Sequence, residues 1–489
     1  MVDKSKHHSV QRIKTGSFER RLSLTRAGVM AGSRLAGNMA ANLFSSRDKK
    51  EQRKREALSR QAHYLVEELG HLKGSVVKIG QVMALYGEHF LPVEVTEALH
   101  TLEDKTTALE WPVMRKVLVR ELGEDRLAEL EIEHEPLGAA SLGQVHKAVR
   151  KSDGKVLCMK IQYPGVADAI DSDINSVATL LKMARMVSMG RDFDEWLEEV
   201  RNMMHREVNY ELELETTRRF GEMLKGDDRF IVPEVFPEYS SGHVITTSFE
   251  HGVGVGDSSV AALPLARRNH LAKAALELFL RELFSWSELQ TDPNFGNYRI
   301  RIGEGSGQSA EGASQTAEGS SQSAEGSDQI VLLDFGAVQK YPPAFIEPVC
   351  QMIRASYEHD LDSVIEGAIR LKFMRREWPD SVLQEFGEVC MAVLEPLGPE
   401  SLTVPASAMN DNGEYRWKQS DLPTRIAKRA TRSAISRYFQ IPPKEFVFLN
   451  RKLVGVYTFL SVLGAEFNGR EILTPYLYPE ENGAEPEEH

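Results

Sequence analysis

Cysteine is scarce. The 489 residues contain three, Cys158, Cys350 and Cys390, far apart and without a CxxC pair. That excludes a disulfide scaffold and a cysteine zinc site, and it points to a reducing compartment. No run of about 18 apolar residues occurs, and the opening stretch MVDKSKHHSVQRIKTGSFERR lacks the apolar core of a secretory signal. The sequence therefore argues against a membrane-spanning chain. Acidic residues are also scarce over residues 1–60, which hold fifteen Lys and Arg against five Asp and Glu, whereas the whole chain carries a net charge of -13. A basic tail on an acidic body argues against specific nucleic-acid binding by the body and allows the tail to meet anionic lipid or RNA. An Arg-rich, acid-poor start also fits a mitochondrial transit peptide, with Asp3 and Glu19 standing against it.

What is present is an ordinary folded composition, 42% hydrophobic and 27% charged, in a chain long enough for two large lobes with extensions. A helix is expected over 61–89, because Leu65, Leu69, Leu72, Val76, Ile79 and Met83 recur at steps of four and three. Its opposite face carries Gly70, Gly74, Val77, Lys78, Gln81 and Leu85, small and apolar around one lysine and one glutamine. Such a helix is covered on both sides, and its lysine needs an anionic partner. From 135 short apolar runs alternate with turns. GQVHKAV (143–149) and KVLCMKI (to Ile161) around SDG read as a β-hairpin, with Val156, Cys158 and Lys160 on one face. Helices follow at 166–190 and 193–223, short strands at 231–249, and mostly helix from 263 to 465. A small β-containing piece before a large helical one predicts two lobes with a ligand cleft between them.

Residues 303–328 repeat QSAEG, QTAEG and QSAEG at a period of seven, with Ala as the only apolar side chain. This reads as a flexible solvated insertion. Removing it joins NYRIRI to QIVLLDF as a hairpin. The expected division is a basic flexible tail at 1–60, a helical extension at 61–134, a first lobe with an inserted helix at 135–255, a helical second lobe at 256–479 and an acidic tail at 480–489.

Three clusters can carry chemistry. Gly138, Ala139, Ala140 and Ser141 lead into a strand, followed by Lys160 in the next one. Small side chains let backbone N–H groups approach phosphate oxygens, and a lysine opposite neutralises charge. Asp292 and Asn297 stand five apart in a loop, a spacing that supplies an acceptor for a substrate proton and a metal-binding amide. Asp334, in Leu333-Asp334-Phe335-Gly336 at the end of an apolar strand, is placed to hold a phosphate-bridging metal. Each feature alone is commonplace, but the ordered set is not. Lys160 also needs a helical glutamate. Glu207 is the choice, among Glu198, Glu199, Glu211, Glu213 and Glu215 nearby.

These residues resemble the UbiB family, the aarF-domain atypical kinases of ubiquinone biosynthesis, over about 61–465. Lys78-Ile79-Gly80-Gln81 resembles its KxGQ signature, Gly138-Ala139-Ala140-Ser141 its Ala-rich nucleotide loop, and Lys160 its nucleotide lysine. Gln290-Thr291-Asp292-Pro293-Asn294 and Leu332-Leu333-Asp334-Phe335-Gly336-Ala337 are similar to its catalytic loop and metal site. Ser436-Arg437-Tyr438-Phe439 and Asn450-Arg451-Lys452-Leu453 resemble the mitochondrial-type branch.

The resemblance implies an α+β, two-lobed protein-kinase-like fold, with the N-terminal helical extension covering the cleft. It implies ATP and Mg²⁺ as cofactors. Lys160, Glu207 and Asp292 would be catalytic, and Asn297 and Asp334 would hold metal. Lys78 and Gln81 would be regulatory, with Glu213 as the partner of Lys78. The implied activity is that of an ATP-dependent atypical kinase or ATPase acting for quinone-precursor lipids at a membrane surface, within a biosynthetic protein complex. The alternatives are a small-molecule or lipid kinase and a nucleotide-sensing scaffold. The expected location is peripheral on a bacterial inner membrane, or the mitochondrial matrix. The sequence departs from the family at Glu207-Val208-Asn209, where its pattern is E-x-D, and at Gly138, where its loop begins with Ala. PEENGAEPEEH has no hydrophobic anchor.

Overall fold

The computed structural model describes residues 75–86, 91–101, 108–183, 191–303, 328–398, 404–426 and 443–479, with parts of 56–66 and Lys428. The basic tail up to residue 55, Leu65, Leu69, Leu72, the repeats at 304–327, Ser436–Phe439 and the acidic tail at 480–489 lie outside the described residues. The chain forms two compact units. Met1–Arg218 with Glu234–Phe249 makes the first, and Arg219–Pro233 with Glu250–His489 the second.

The first unit contains helices α1 (Ser75–Tyr86), α2 (Val93–His100) and α3 (Trp111–Ala128). On α1 the stripe Val76, Ile79 and Met83 is fully buried, and Val77 on the other side is buried as well. The helix is thus covered on both faces. An antiparallel sheet follows in the order β1 (Leu130–Ile132), β3 (Gly143–Arg150), β4 (Val156–Gln162), β6 (Val244–Ser248), with β2 (Gly138–Ala139) paired to β3. Strands β3 and β4 turn through Gly154 at φ 73°, a left-handed conformation that glycine adopts without penalty. On β4, Leu157, Met159 and Ile161 are buried, and Val156, Cys158 and Lys160 alternate to the other face. Helices α4 (Val166–Met183) and α5 (Arg191–Glu207) share one core with α1, α2, α3 and the sheet. The segments expected as a separate extension and first lobe therefore form one unit.

The expected helix over 193–223 is two helices. α5 ends at Glu207 and α6 runs Tyr210–Met223. Asn209 makes the break: its side-chain Oδ1 accepts the Leu212 N–H at 3.1 Å, an N-cap bond, and its carbonyl accepts the Glu213 N–H. The Val208 carbonyl, left out of the helix ladder, accepts from Gln162 Nε2 at 3.1 Å. Asn caps as well as Asp, so the departure from the family pattern retains a capping side chain at this position.

In the second unit β5 (Phe230–Ile231), β9 (Gln329–Leu332) and β8 (Tyr298–Arg301) form a sheet in that order, and β7 (Glu288–Gln290) pairs with β10 (Val338–Lys340). The antiparallel β8–β9 pair is the hairpin predicted by removing the insertion. Its open end is stitched shut. Gly303 N–H donates to Asp328 Oδ1 at 3.0 Å, and Arg267 binds both the Asp328 carboxylate and the Gly303 carbonyl. Its helices include α7 (Ser258–Ala261), α8 (Leu265–Leu280), α9 (Pro343–Tyr357), α10 (Leu361–Arg370), α11 (Asp380–Val393), α12 (Lys444–Val462) and α13 (Arg470–Leu477). Among the described residues no helix is long and apolar enough to cross a membrane.

Candidate active site

In the first unit the small-residue segment is a tight β-turn between β2 and β3. Gly138 pairs with Val145 and Ala139 with Gln144, and the Ala140 N–H donates to the Gly143 carbonyl at 2.8 Å. Gly143 is obligatory here, because a Cβ would lie 2.5 Å from the Ile161 carbonyl oxygen. At Gly138 an added Cβ meets nothing within 4 Å, so the glycine in place of the family's Ala is not a packing requirement. Ser141 is buried.

Lys160 Nζ donates to both carboxylate oxygens of Glu213, at 2.9 Å each, and sits 5.0 Å from the centre of the Tyr210 ring. Glu213 is almost fully buried. Glu207, chosen above for Lys160, instead pairs with Lys78 at 2.6 Å. Both expected pairings are exchanged. On a continuous helix these carboxylates would differ only by rotation about one axis, but the break at Val208-Asn209 puts them on separate helices. Glu207 ends α5, and Glu213 lies in the first turn of α6. Gln81 is half-buried on α1.

Sequence reasoning missed the network behind the loop. The core-facing side of β3 carries Gln144 and His146, both fully buried. Gln144 Oε1 accepts the Leu109 N–H at 2.8 Å, and its Nε2 donates to the Leu109 carbonyl at 3.2 Å and contacts His146 Nε2 at 2.8 Å. His146 Nδ1 reaches the Glu133 carbonyl at 2.8 Å. Burial lowers the His146 pKa. The signal was in GQVHKAV, where alternation sets two polar residues on the same face as Ala148.

In the second unit Asp292 follows β7. Its Oδ1 accepts from Arg451 Nη2 at 2.8 Å and its Oδ2 from Asn297 Nδ2 at 2.9 Å. That bond orients the Asn297 amide with its carbonyl oxygen away from Asp292. Leu333 N–H donates to the Asn297 carbonyl at 2.9 Å, so the end of β9 and the start of β8 hold Asp334 close in register to Asn297. Gly336 N–H fixes Asp334 Oδ1 at 2.9 Å, and Gln290 bridges the loops by accepting the Asp292 N–H and donating to the Asp334 carbonyl. Phe335 is buried against Phe220, ring centres 4.9 Å apart. The three predicted residues of this unit are thus brought together, Asn297 and Asp334 by the β8–β9 ladder and Asp292 by side-chain bonds to Asn297 and Gln290. An amide oxygen and a carboxylate are hard oxygen donors of the kind Mg²⁺ takes, and the donor set fits that ion.

Arg451 was named for resemblance alone, without a role. Its neighbour Lys452 forms a buried ion pair with Glu282 at 2.7 Å. Burial alone would lower the Lys452 ammonium, but the Glu282 carboxylate overrides it and holds the ammonium above its ordinary value. Glu282 lies in a π turn, Arg281–Trp286, that leads into β7. Burial pushes the Cys158 thiol up to about 11 and the Cys350 and Cys390 thiols up to about 12, which keeps all three protonated and inert near neutrality.

Residues 101–368 match the ABC1 atypical kinase-like domain. Over 412 residues the chain is 31% identical to the atypical kinase COQ8B, mitochondrial, of Danio rerio, covering 84% of this chain and 60% of that protein. Over 419 residues it is 27% identical to the atypical kinase COQ8, mitochondrial, of Schizosaccharomyces pombe, covering 86% and 63%. It thus spans less than two thirds of the length of these relatives. The solved complex of Rv3197 with erythromycin from Mycobacterium tuberculosis has a TM-score of 0.56 at 22% identity, over 87% of this chain and 97% of that one. That likeness shows the fold, which is kinase-like with mixed helices and sheets. With more than half of its residues matched to the domain and these relatives beside it, the chain belongs to the ABC1 atypical kinase-like proteins, the UbiB family.

Proposed function

We propose that this protein is a Mg-ATP-dependent atypical kinase or ATPase that supports ubiquinone biosynthesis, acting on or for lipid-like quinone precursors at a membrane surface. The observation that carries the reading is the set Asp292, Asn297 and Asp334, held in register by the β8–β9 ladder and the Gln290 bridge. Backbone N–H groups of the turn from Gly138 to Ser141, other than that of Ala140, which the Gly143 carbonyl takes, receive phosphate oxygens, and Lys160, oriented by Glu213, neutralises them. Asn297 and Asp334 would hold Mg²⁺, which supplies charge neutralisation for the phosphates. Asp292 orients the acceptor. With one oxygen taken by Arg451 and the other by Asn297, its carboxylate is held in one geometry, which suits orientation. Lys78, through its pair with Glu207, and Gln81, on the same helix, act as regulatory residues. The relatives' names support a mitochondrial setting rather than a bacterial inner membrane.

Substitution separates the roles. Asp334→Asn keeps the shape and removes the charge, so Mg-dependent ATP affinity should fall by at least about tenfold with the fold intact. Asp292→Asn should bind normally and turn over slowly. Calorimetric titration of Mg-ATP alongside phosphate release measures both. Unchanged Mg-dependent affinity in Asp334→Asn would remove the metal assignment.

A further inference from the structure

A strand whose inward face carries glutamine and histidine where apolar residues belong pays a desolvation cost, unless every polar atom is matched. Around Gln144 every one is. Its carboxamide lies against the Leu109 peptide as another strand would, accepting the N–H and donating to the carbonyl. Both hydrogens of Nε2 are then used, the second pointing at His146 Nε2. That nitrogen must be the acceptor, so the proton sits on Nδ1, which donates to the Glu133 carbonyl. Trp111, just after Leu109, covers the imidazole with ring centres 5.2 Å apart. The orientation of the amide and the tautomer of the imidazole follow from one another, leaving a single arrangement.

The location gives this network a purpose. Gln144 is the residue whose backbone pairs with Ala139 of the nucleotide turn, and its neighbour Val145 pairs with Gly138 and accepts the Leu137 N–H. Gly138, Ala139 and Ala140 carry little or no side chain and are not buried, so the conformation of this stretch is set by the strand it pairs with. We infer that Gln144, backed by His146, is a positioning residue for the phosphate-binding turn: it anchors β3 from behind to the Leu109 peptide, so that the N–H groups of residues 139, 141 and 142 keep one orientation while that of Ala140 closes the turn on the Gly143 carbonyl. This rests on the nucleotide reading proposed above.

The consequence is specific to phosphate. A loosened turn loses affinity for the part of the ligand that its N–H groups hold and keeps affinity for the rest. Gln144→Met retains the volume and removes both Leu109 bonds. Mg-ATP should then bind about tenfold more weakly, while adenosine should change by less than about twofold. His146→Phe keeps a ring under Trp111 and both Leu109 bonds, leaving one Gln144 hydrogen and the Glu133 carbonyl unmatched, so its Mg-ATP loss should be smaller, about threefold. Titrating both ligands into wild type and both variants, with circular dichroism to establish folding, decides the matter. A folded Gln144→Met protein that binds Mg-ATP as wild type does overturns the positioning role and leaves the nucleotide reading standing. Equal losses for Mg-ATP and adenosine also overturn it, because they mean general loosening. If Gln144→Met does not fold, His146→Phe is read alone, and no phosphate-selective loss counts against the proposal. A wild-type protein with no preference for Mg-ATP over adenosine removes both readings together.

Discussion

In the first unit two acidic residues six apart, Glu207 and Glu213, serve Lys78 and Lys160; in the second, two adjacent cations, Arg451 and Lys452, serve Asp292 and Glu282. The second case needs only an unbroken helix, since neighbours on α12 point about 100° apart and reach different partners. The first needs a break, with Asn209 as its cap. Burial also differs. The side chains of Lys452 and Glu282 are 5% and 2% exposed, whereas those of Lys78 and Glu207 are 24% and 35% exposed. An ion pair closed off from water acts as scaffold beside the loop that carries Asp292, and one that water reaches can be rearranged at little cost.

The comparison is tested most severely at the buried pair. Lys452→Met leaves Glu282 without its counter-charge in a closed site and should cost about 3–5 kcal/mol of stability, read from urea unfolding. Adding Glu282→Leu should recover most of that loss. A single variant as stable as wild type would show that the pair is not structural. The next effect separates the two glutamates. Glu213→Gln removes the charge that orients Lys160 and should weaken Mg-ATP binding or turnover by about tenfold or more, whereas Glu207→Gln should change Mg-ATP affinity by less than about threefold. The opposite order would restore the pairing first expected from sequence. The smallest effect is at the break itself. Asn209→Ala should cost about 1 kcal/mol and Asn209→Asp almost nothing, by thermal unfolding. Equal losses in both would mean that something other than capping fixes the break.

These cases also show how far the sequence was legible. The β3–β4 hairpin and the placement of Lys160 on β4 follow from alternation and turn residues within a few residues of one another, and the joining of β8 to β9 follows once the apolar-poor repeat between them is set aside. That Asp292 and Asn297 meet was legible because five residues separate them in one loop, and that Asp334 lies near them was legible once β9 was set beside β8. The exchange of Glu207 and Glu213 was not, because nothing in a run of helix-forming residues announces that a single Asn will cap a new helix rather than sit within an old one. Arg451 meets Asp292 across 159 residues of chain. Helical periodicity says which face it occupies and is silent about what lies opposite. Gln144 and His146 left a visible trace, polar residues on an inward face, that could have been read as a demand for partners.

One feature of the β8–β9 hairpin bears on how this chain can vary. With Gly303, Asp328 and Arg267 tying the strand ends together, the ladder that carries Asp334 is closed before the intervening segment begins. Strand register is thereby insulated from the length of what lies between. Closing a longer loop costs only slowly growing entropy, so the position works as a socket in the chain. Segments of different size or composition can be exchanged there, by drift or by design of a tag or reporter, while the spacing from Asn297 to Asp334 stays where the tie has set it.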